Sequence, residues 1–172
     1  MTGVQTCVFR SNGAWAAEGE VNESLLSSLM EHPFLQLSGP RSTGKEAFNL
    51  AWLDRQLQTA NHIEAGDVQS TLAEFTAATI EHGITRQPVA IEEVYICGGG
   101  AANDDLMRRL YRRLTPRHFG STAELGIDPA WVEAAAFAWL AQRTLQGRSG
   151  NIAEVTGASG ERILGAIHLG GA

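Results

Sequence analysis

Apolar residues recur at helical spacing along much of the chain. The clearest case follows Asp67, where apolar and small residues three or four positions apart form one stripe: Val68, Leu72, Phe75, Thr76, Thr79 and Ile80. This spacing is typical of a helix that buries one face. Asp67 is expected to cap the start of the helix, and Gly83 is expected to end it, because glycine readily adopts the left-handed conformation found after helix C-termini.

Two helices are predicted before this one. Asn22 is a suitable N-cap for the first, and Pro33 prevents that helix from continuing. The second is predicted to begin near Ser42 or Thr43, because Thr43 and Glu46 have the spacing of a capping box, in which each side chain satisfies a backbone N–H of the other residue.

A loop is predicted at 34–44. Two more helices are predicted later in the chain. One helix covers 103–114 and cannot pass Pro116. The other starts near Pro129, a favoured residue for the first turn, and ends at Gly147. Its many alanines favour helix formation and close packing.

Strands are fewer. Residues 89–97 form an apolar, β-type run, and 117–122 and 163–169 are weaker candidates, while 13–19 has the pattern of the end of a strand and a turn. Helices that alternate with strands predict a parallel sheet, and such sheets are normally covered on both faces. The sequence therefore predicts a helix-rich α/β fold with an incomplete sheet, as in part of a larger domain.

Composition limits the function. The chain has 172 residues, 44% of them hydrophobic and 19% charged, which is typical of a globular protein. The net charge is -6, and the four arginines of 103–114 lie amid acidic residues, so no nucleic-acid partner is predicted. No apolar run approaches the roughly 20 residues of a membrane helix. Two cysteines form neither a metal-binding spacing nor a disulfide framework, so a cytoplasmic location is predicted.

The candidate for chemistry is a glycine turn between a predicted strand and a predicted helix. Gly98, Gly99 and Gly100 are followed by Ala101 and, at the start of the helix, by Asn103. Because glycine has no Cβ, a ligand can lie directly against the backbone amides here. The alternative is an ordinary tight turn with no ligand.

Two residue types near these elements have simpler expected roles. Cys97, at the end of the strand, is expected to be a small buried apolar residue. Core packing is expected of the tryptophans, which are Trp15, Trp52, Trp131 and Trp139.

With these elements in place, the chain resembles the C-terminal half of the anhydro-N-acetylmuramic acid kinase family, a member of the sugar-kinase, Hsp70 and actin superfamily. The central matching segment is Cys-Gly-Gly-Gly-Ala-x-Asn-x-x-Leu-Met at 97–107, similar to the family's adenosine motif. Similar segments in the right order are 12–16, 42–53, 126–127, 133–141 and 150–159.

The resemblance implies an ATP-dependent kinase that also uses Mg²⁺. Such an enzyme opens the 1,6-anhydro bond of anhydro-N-acetylmuramic acid with water and phosphorylates O6 during cell-wall recycling. Its partners would be the sugar and ATP, and the full-length protein would be a homodimer. The implied fold is part of the second domain of an actin-like ATPase.

The resemblance also implies roles for particular residues. Gly98, Gly99, Gly100, Ala101 and Asn103 would contact the nucleotide. The carboxylate of Glu133 would bind the sugar, although a solvated helix carboxylate is the alternative. The segment formed by Ser42, Thr43 and Gly44 would lie at the rim of the nucleotide site or would only cap a helix. No catalytic residue and no metal ligand is expected in this chain.

The same resemblance predicts the domain organisation. Residues 9–172 would be the C-terminal part of a sugar-kinase-like domain, with the N-terminal domain missing. Residues 1–8 match nothing in the family pattern and are expected to be non-native or disordered. The phosphate-binding loop and the aspartate that activates water would then be absent, so the chain alone is expected to be inactive.

Two other functions remain open at this point. The chain could be a non-catalytic nucleotide-binding or interaction module that kept the fold and lost the chemistry. It could also be a small helical binding domain unrelated to kinases. A glycine turn buried under a helix, with no open cleft, would favour this last possibility.

Overall fold

The computed structural model describes residues 12–58 and 62–168, so the segment 1–8 and its predicted disorder lie outside the described residues. Helices predominate. The first five are α1 (Ala14–Glu18), α2 (Glu23–Met30), α3 (Pro33–Gln36), α4 (Leu50–Gln58) and α5 (Ala65–Thr85). The remaining elements are β1 (Glu93–Ile96), α6 (Asp104–Leu114), β2 (His118–Ser121), α7 (Val132–Leu145) and α8 (Ala153–Thr156), with 3₁₀ turns at Gly99–Ala102, Thr122–Leu125 and Pro129–Trp131.

The two strands form a parallel pair connected through α6. Glu93 lies opposite His118, and Ile96 lies opposite Ser121. A strand, a crossover helix and a second parallel strand make one βαβ unit. The prediction of a helix-rich α/β fold with a small parallel sheet is therefore confirmed, although β1 and β2 are shorter than the predicted strands at 89–97 and 117–122.

Helix α5 organises the packing, because two of its faces are buried. Val68 and Phe75 pack in an apolar cluster with Leu29 of α2 and with Trp52 and Leu53 of α4. On another face, Ala77 packs against Leu110 and Leu114 of α6, together with Val94 and Ile96 of β1 and Phe119 of β2. The second cluster fixes the sheet and α6 to α5, and this fixes the position of the glycine turn between them.

Local side-chain chemistry explains the helix starts that were predicted correctly. The Oδ1 atom of Asn22 accepts a hydrogen bond from the Leu25 N–H at 2.9 Å, so Asn22 is the N-cap of α2 as expected. The Oδ1 atom of Asn103 accepts from the Leu106 N–H at 3.0 Å in the same way. Each cap needs only residues close in sequence, and for this reason the sequence predicts the cap at Asn22, whereas the role of Asn103 as a cap is a finding of the structure.

Three other boundaries are wrong in the prediction. Residues 14–18 form helix α1 and not the end of a strand. Packing against α5 and α6 stabilises this short helix, and its five residues are too few to show a helical period in the sequence. The second predicted helix starts at Leu50, where Asn49 accepts from the Trp52 N–H at 2.9 Å. Pro33 begins a short helix inside the predicted 34–44 loop.

Helix α5 is longer than predicted at both ends. It starts at Ala65, so Asp67 lies in its first turn, where its carboxylate accepts a hydrogen bond from the Glu20 N–H at 2.8 Å. It also continues past Gly83 to Thr85, because a single glycine costs a helix only about 1 kcal/mol and the packing of α5 outweighs that cost.

The C-terminal part departs most from expectation. The described residues 163–168 form no strand, and Leu169 lies outside the described residues. Trp131 and Trp139 are exposed rather than in the core, and Cys97 is exposed rather than buried. Among residues 12–58 and 62–168, no helix combines the length and the apolar character that crossing a bilayer requires.

Candidate functional site

The glycine turn that follows β1 has a backbone conformation that requires glycine at its first position. Gly98 has φ 73° and ψ -170°, a combination that residues with a Cβ rarely adopt. Its N–H donates to the Pro129 carbonyl at 2.8 Å, which ties the turn to the segment before α7. A Cβ at Gly98 would meet nothing within 4 Å, so the space beside the turn is open.

The next residues continue the turn into α6. The Ala101 N–H donates to the Gly98 carbonyl, and the Asn103 N–H donates to the Gly100 carbonyl, each at 3.1 Å. Asn103 is only 3% exposed. Its side chain caps α6, so it fixes the geometry of the turn from inside the protein.

Close packing against α1 also holds the Asn103 side chain in place. A Cβ on Gly13, which has φ 81°, would come within 2.1 Å of the Asn103 Oδ1 atom and within 2.9 Å of Asp105 Cβ. Only glycine allows this approach. The segment at 12–16, one of the motifs found in the sequence, therefore supports the start of α6 directly.

A cleft of about 250 Å³ opens beside the turn. One wall consists of Gly98, Gly99, Ala101 and Ala102, and the other of the segment 128–130. Among these residues only Asp128 carries a charge, and its Oδ1 accepts from the Ala130 N–H at 2.8 Å. The turn is thus not buried under a helix. This removes the observation that would have favoured an unrelated helical binding domain.

A network of charged side chains holds α6 against α5. Arg109 is 5% exposed, and its guanidinium donates to Asp105 at 2.7 Å, to Glu74 at 2.7 Å and to the Ser70 hydroxyl at 2.9 Å. Its Nη2 also lies 3.3 Å from the Ala16 carbonyl of α1. A buried guanidinium whose hydrogen bonds are not all made destabilises the folded state. Because the partners of Arg109 lie on α1, α5 and α6, its hydrogen bonds fix these three helices relative to one another.

Glu74 connects this network to a second arginine. Its carboxylate accepts from Arg113 Nε at 2.7 Å as well as from Arg109, and Arg113 also donates to Glu81 at 2.6 Å. Burial alone would raise the pKa of Glu74, but the hydrogen bonds from Arg109 and Arg113 outweigh it and leave the pKa below its ordinary value. Burial alone would lower the pKa of both arginines, but Asp105 and Glu74 raise the pKa of Arg109, and Glu81 and Glu74 raise that of Arg113.

The other residues singled out in the sequence lie at different places. Glu133 is exposed in the first turn of α7, shortly after the segment 128–130 that lines the cleft. Ser42, Thr43 and Gly44 lie in an exposed loop before α4, where the Gly44 N–H donates to the Glu46 carboxylate at 2.7 Å. They do not line the 250 Å³ cleft.

Comparison with known proteins identifies the family. The family model for anhydro-N-acetylmuramic acid kinase matches residues 2–170. The chain belongs to the anhydro-N-acetylmuramic acid kinase family. The resemblance that the sequence motifs indicate is therefore confirmed.

Individual kinases of the family are also similar to the chain. The anhydro-N-acetylmuramic acid kinase of Thiobacillus denitrificans is 51% identical over 158 residues, which are 91% of this chain and 42% of the relative. That of Pseudomonas fluorescens is 49% identical over 157 residues, or 91% and 43%. That of Shewanella baltica is 46% identical over 160 residues, or 91% and 42%. The chain thus spans less than half the length of these relatives.

Within this family member, the described residues do not assemble a metal centre. Across 12–58 and 62–168, no group of three or more histidine, cysteine, aspartate or glutamate side chains is placed to hold a metal ion.

Sequence reasoning missed the second wall of the cleft. The segment 128–130 was interpreted only as a helix start, yet the Pro129 carbonyl accepts the Gly98 N–H. It also missed Glu74, whose partners on α6 lie far away in sequence. The only available signal was the shared helical spacing of Asp105, Arg109 and Arg113, which places these three side chains on one face of α6.

Proposed function

We propose that the chain is the part of an ATP-dependent anhydro-N-acetylmuramic acid kinase that binds the adenosine end of the nucleotide. The observation that carries this proposal is an open cleft lined by glycine and alanine in a chain of this kinase family. The whole enzyme would open the 1,6-anhydro bond with water and transfer phosphate to O6 of the sugar during peptidoglycan recycling in the cytoplasm.

The turn would bind the nucleoside by shape and backbone contact. Gly98, Gly99 and Ala101 line the cleft and leave the backbone accessible, Gly100 continues the turn without lining the cleft, and the buried Asn103 keeps the turn rigid. At about 250 Å³ the cleft is smaller than the roughly 300–1,000 Å³ of a typical complete ligand site. This size supports one wall of a nucleotide site rather than a whole site.

The charges around the turn disfavour the phosphates. Asp104 is exposed in the first turn of α6, where a helix would otherwise attract an anion, whereas Asp105 is buried and its charge is compensated by Arg109. The negative charge of Asp104 would repel a triphosphate placed there. The nucleotide would therefore point its phosphates away from α6, toward residues outside this chain.

We propose that Glu133 accepts hydrogen bonds from sugar hydroxyls, which suits an exposed carboxylate near the cleft. The loop containing Ser42, Thr43 and Gly44 would reach the nucleotide rim only in the complete enzyme. Mg²⁺, when bound with the nucleotide, would supply positive charge that neutralises the ATP phosphates.

The rest of the machinery would come from the remaining length of the family's polypeptide. This includes the phosphate-binding loop, the metal ligands and the aspartate that activates water. Residues 9–172 would then be the C-terminal part of an actin-like kinase domain, inactive alone, and the complete protein would be a homodimer.

The test joins this chain to the portion of the Thiobacillus denitrificans kinase that lies outside its 158 matched residues. The joined protein should release ADP from ATP and Mg²⁺ only when the anhydro sugar is present, and the 172-residue chain should not. A joined protein that folds but shows no sugar-dependent ADP release would contradict the kinase proposal. Sugar-dependent ADP release by the pure chain would contradict its dependence on the missing portion.

A further inference from the structure

Helix α7 presents apolar side chains on every side. None of its 14 residues, all of them described, is buried. Phe137 is 62% exposed, Trp139 is 50% exposed and Leu145 is 76% exposed. Five of the 14 residues are alanines, and the four polar side chains do not share one side, so the helix has no continuous polar face. A helix with this composition is typical of a protein interior.

The apolar surface continues beyond the helix. A groove of about 470 Å³ runs between α7 and the segment 163–167, and Phe137, Leu140, Leu164 and Ile167 contribute to its lining. Two polar contacts hold that segment beside the helix. The Thr144 hydroxyl donates to the Leu164 carbonyl, and the Gly150 N–H donates to the Arg162 carbonyl at 3.0 Å. We call α7 together with residues 163–167 the α7 surface.

We infer that the α7 surface docks the portion of the family's polypeptide that this chain does not match. More than half of the length of each relative described above lies outside the matched region. This portion is large enough to surround a helix that is apolar on all sides. A second copy of the chain, related by a two-fold axis, would cover one side of α7 and leave the others exposed.

The side chains of α7 indicate the chemistry of the partner. Alanines let a neighbouring backbone approach closely, whereas the large Phe137 and Trp139 need apolar recesses. The partner face should therefore be apolar, with a helix or strand opposite the alanines. The segment 128–130 directly precedes this region, so the docked portion would lie beside the cleft. This inference rests on family membership and not on the proposed reaction.

The experiment co-expresses this chain with the unmatched portion of the Thiobacillus denitrificans kinase and measures association by sedimentation. A one-to-one complex is expected, and Phe137→Asp and Trp139→Asp should each weaken it at least tenfold. Hydrogen exchange of the α7 amides should slow in the complex. Since both side chains are exposed, neither substitution should lower the melting temperature of the chain alone.

Val89→Asp is the matched control, because Val89 is 65% exposed but lies outside the α7 surface, and it should leave the complex unchanged. Three results would overturn the inference. The first is that no complex forms with the unmodified chain. The second is a complex that tolerates both α7 substitutions. The third is a homodimer of the chain alone that the same substitutions dissociate, which would assign the α7 surface to a second copy.

Discussion

At the scale of single residues, the cleft stays open because small side chains line the turn. Gly98 supplies the positive φ, and the Ala101 and Ala102 side chains add only a methyl group each. Asn103 faces the interior, where it caps α6. Shape and rigidity are thus provided by different residues, so the cleft can be filled without disturbing the cap.

Ala102→Trp tests the cleft directly in the joined protein. Ala102 is exposed and lies in a 3₁₀ turn that does not require glycine, so an indole there should fill much of the 250 Å³ space without unfolding the turn. We expect ATP affinity, measured by calorimetry, to fall at least about tenfold, which is a loss of about 1.4 kcal/mol.

Ala123→Trp is the control for this substitution. Ala123 is also an exposed alanine in a 3₁₀ turn, but it does not line the cleft, so ATP affinity should not change. Equal affinities for the Ala102→Trp variant and the unmodified protein would remove the glycine turn from the nucleotide site.

At the scale of elements, the charged network decides how α6 lies on α5. Apolar contacts such as Ala77 with Leu110 are non-directional and would permit sliding or rotation. Arg109 and Arg113 of α6 add direction, because each guanidinium fits a particular carboxylate geometry. We attribute the fixed start of α6, and with it the glycine turn, to this combination.

Glu74→Gln tests this role. The substitution keeps the shape but removes the charge that Arg109 and Arg113 share, so the free energy of unfolding at pH 7 should fall by about 2–4 kcal/mol. Because the folded-state pKa of Glu74 is lowered, its contribution is present above the unfolded pKa of about 4.3 and is lost as pH falls through the folded pKa. Urea unfolding should therefore show the difference shrinking below about pH 4.3.

Glu81→Gln is the matched control. Its side chain is 31% exposed, against 14% for Glu74, and it pairs with Arg113 alone. The expected loss is about 1 kcal/mol or less. A loss equal to that of Glu74→Gln, or a Glu74→Gln effect that persists unchanged to pH 3, would show that burial of the shared carboxylate is not what stabilises the α5–α6 contact.

The helix boundaries show how far sequence reasoning reaches. The cap at Asn22 was predicted because a cap depends on residues three positions apart, whereas Asn103 was expected to contact a nucleotide and its role as the cap of α6 is a finding of the structure. The true starts of α4 and α5 were not predicted, because the packing of Trp52, Val68 and their neighbours determines the residue at which each of these helices begins. Helix α1 could not be found either, since its five residues have no period to detect.

For the candidate site, the turn could be predicted and its surroundings could not. Three adjacent glycines between a strand and a helix are visible in the sequence, whereas the approach of Pro129 to Gly98 depends on the path of the chain between them. The exposure of Trp131 and Trp139 has a different cause. Both have interior character, yet within the described residues Trp131 stays 66% exposed, and Trp139 stays 50% exposed although the Arg143 guanidinium lies over its ring at 5.3 Å.

At the scale of the whole molecule, the small open cleft and the exposed helix α7 lie next to each other in the sequence. The segment 128–130 forms one wall of the cleft, and α7 begins directly after it. A polypeptide that covers α7 would therefore also stand close to the open side of the cleft. One docking event would bury the apolar helix and complete the nucleotide site.

This arrangement predicts that the 172-residue chain binds ATP weakly by itself. A cleft of about 250 Å³ buries little of the nucleotide, and the exposed Asp104 at the start of α6 repels its phosphates, so we expect a Kd above about 1 mM, or less than about 4.1 kcal/mol of binding free energy. Calorimetry of the chain alone and of the joined protein, in the same buffer with Mg²⁺, measures the gain in ATP affinity, which should be at least tenfold.

Adenosine serves as the control ligand. If phosphate repulsion limits binding, the chain alone should bind adenosine at least as tightly as ATP, whereas the joined protein should prefer ATP. Micromolar ATP binding by the chain alone would show that its described cleft is already a complete nucleotide site.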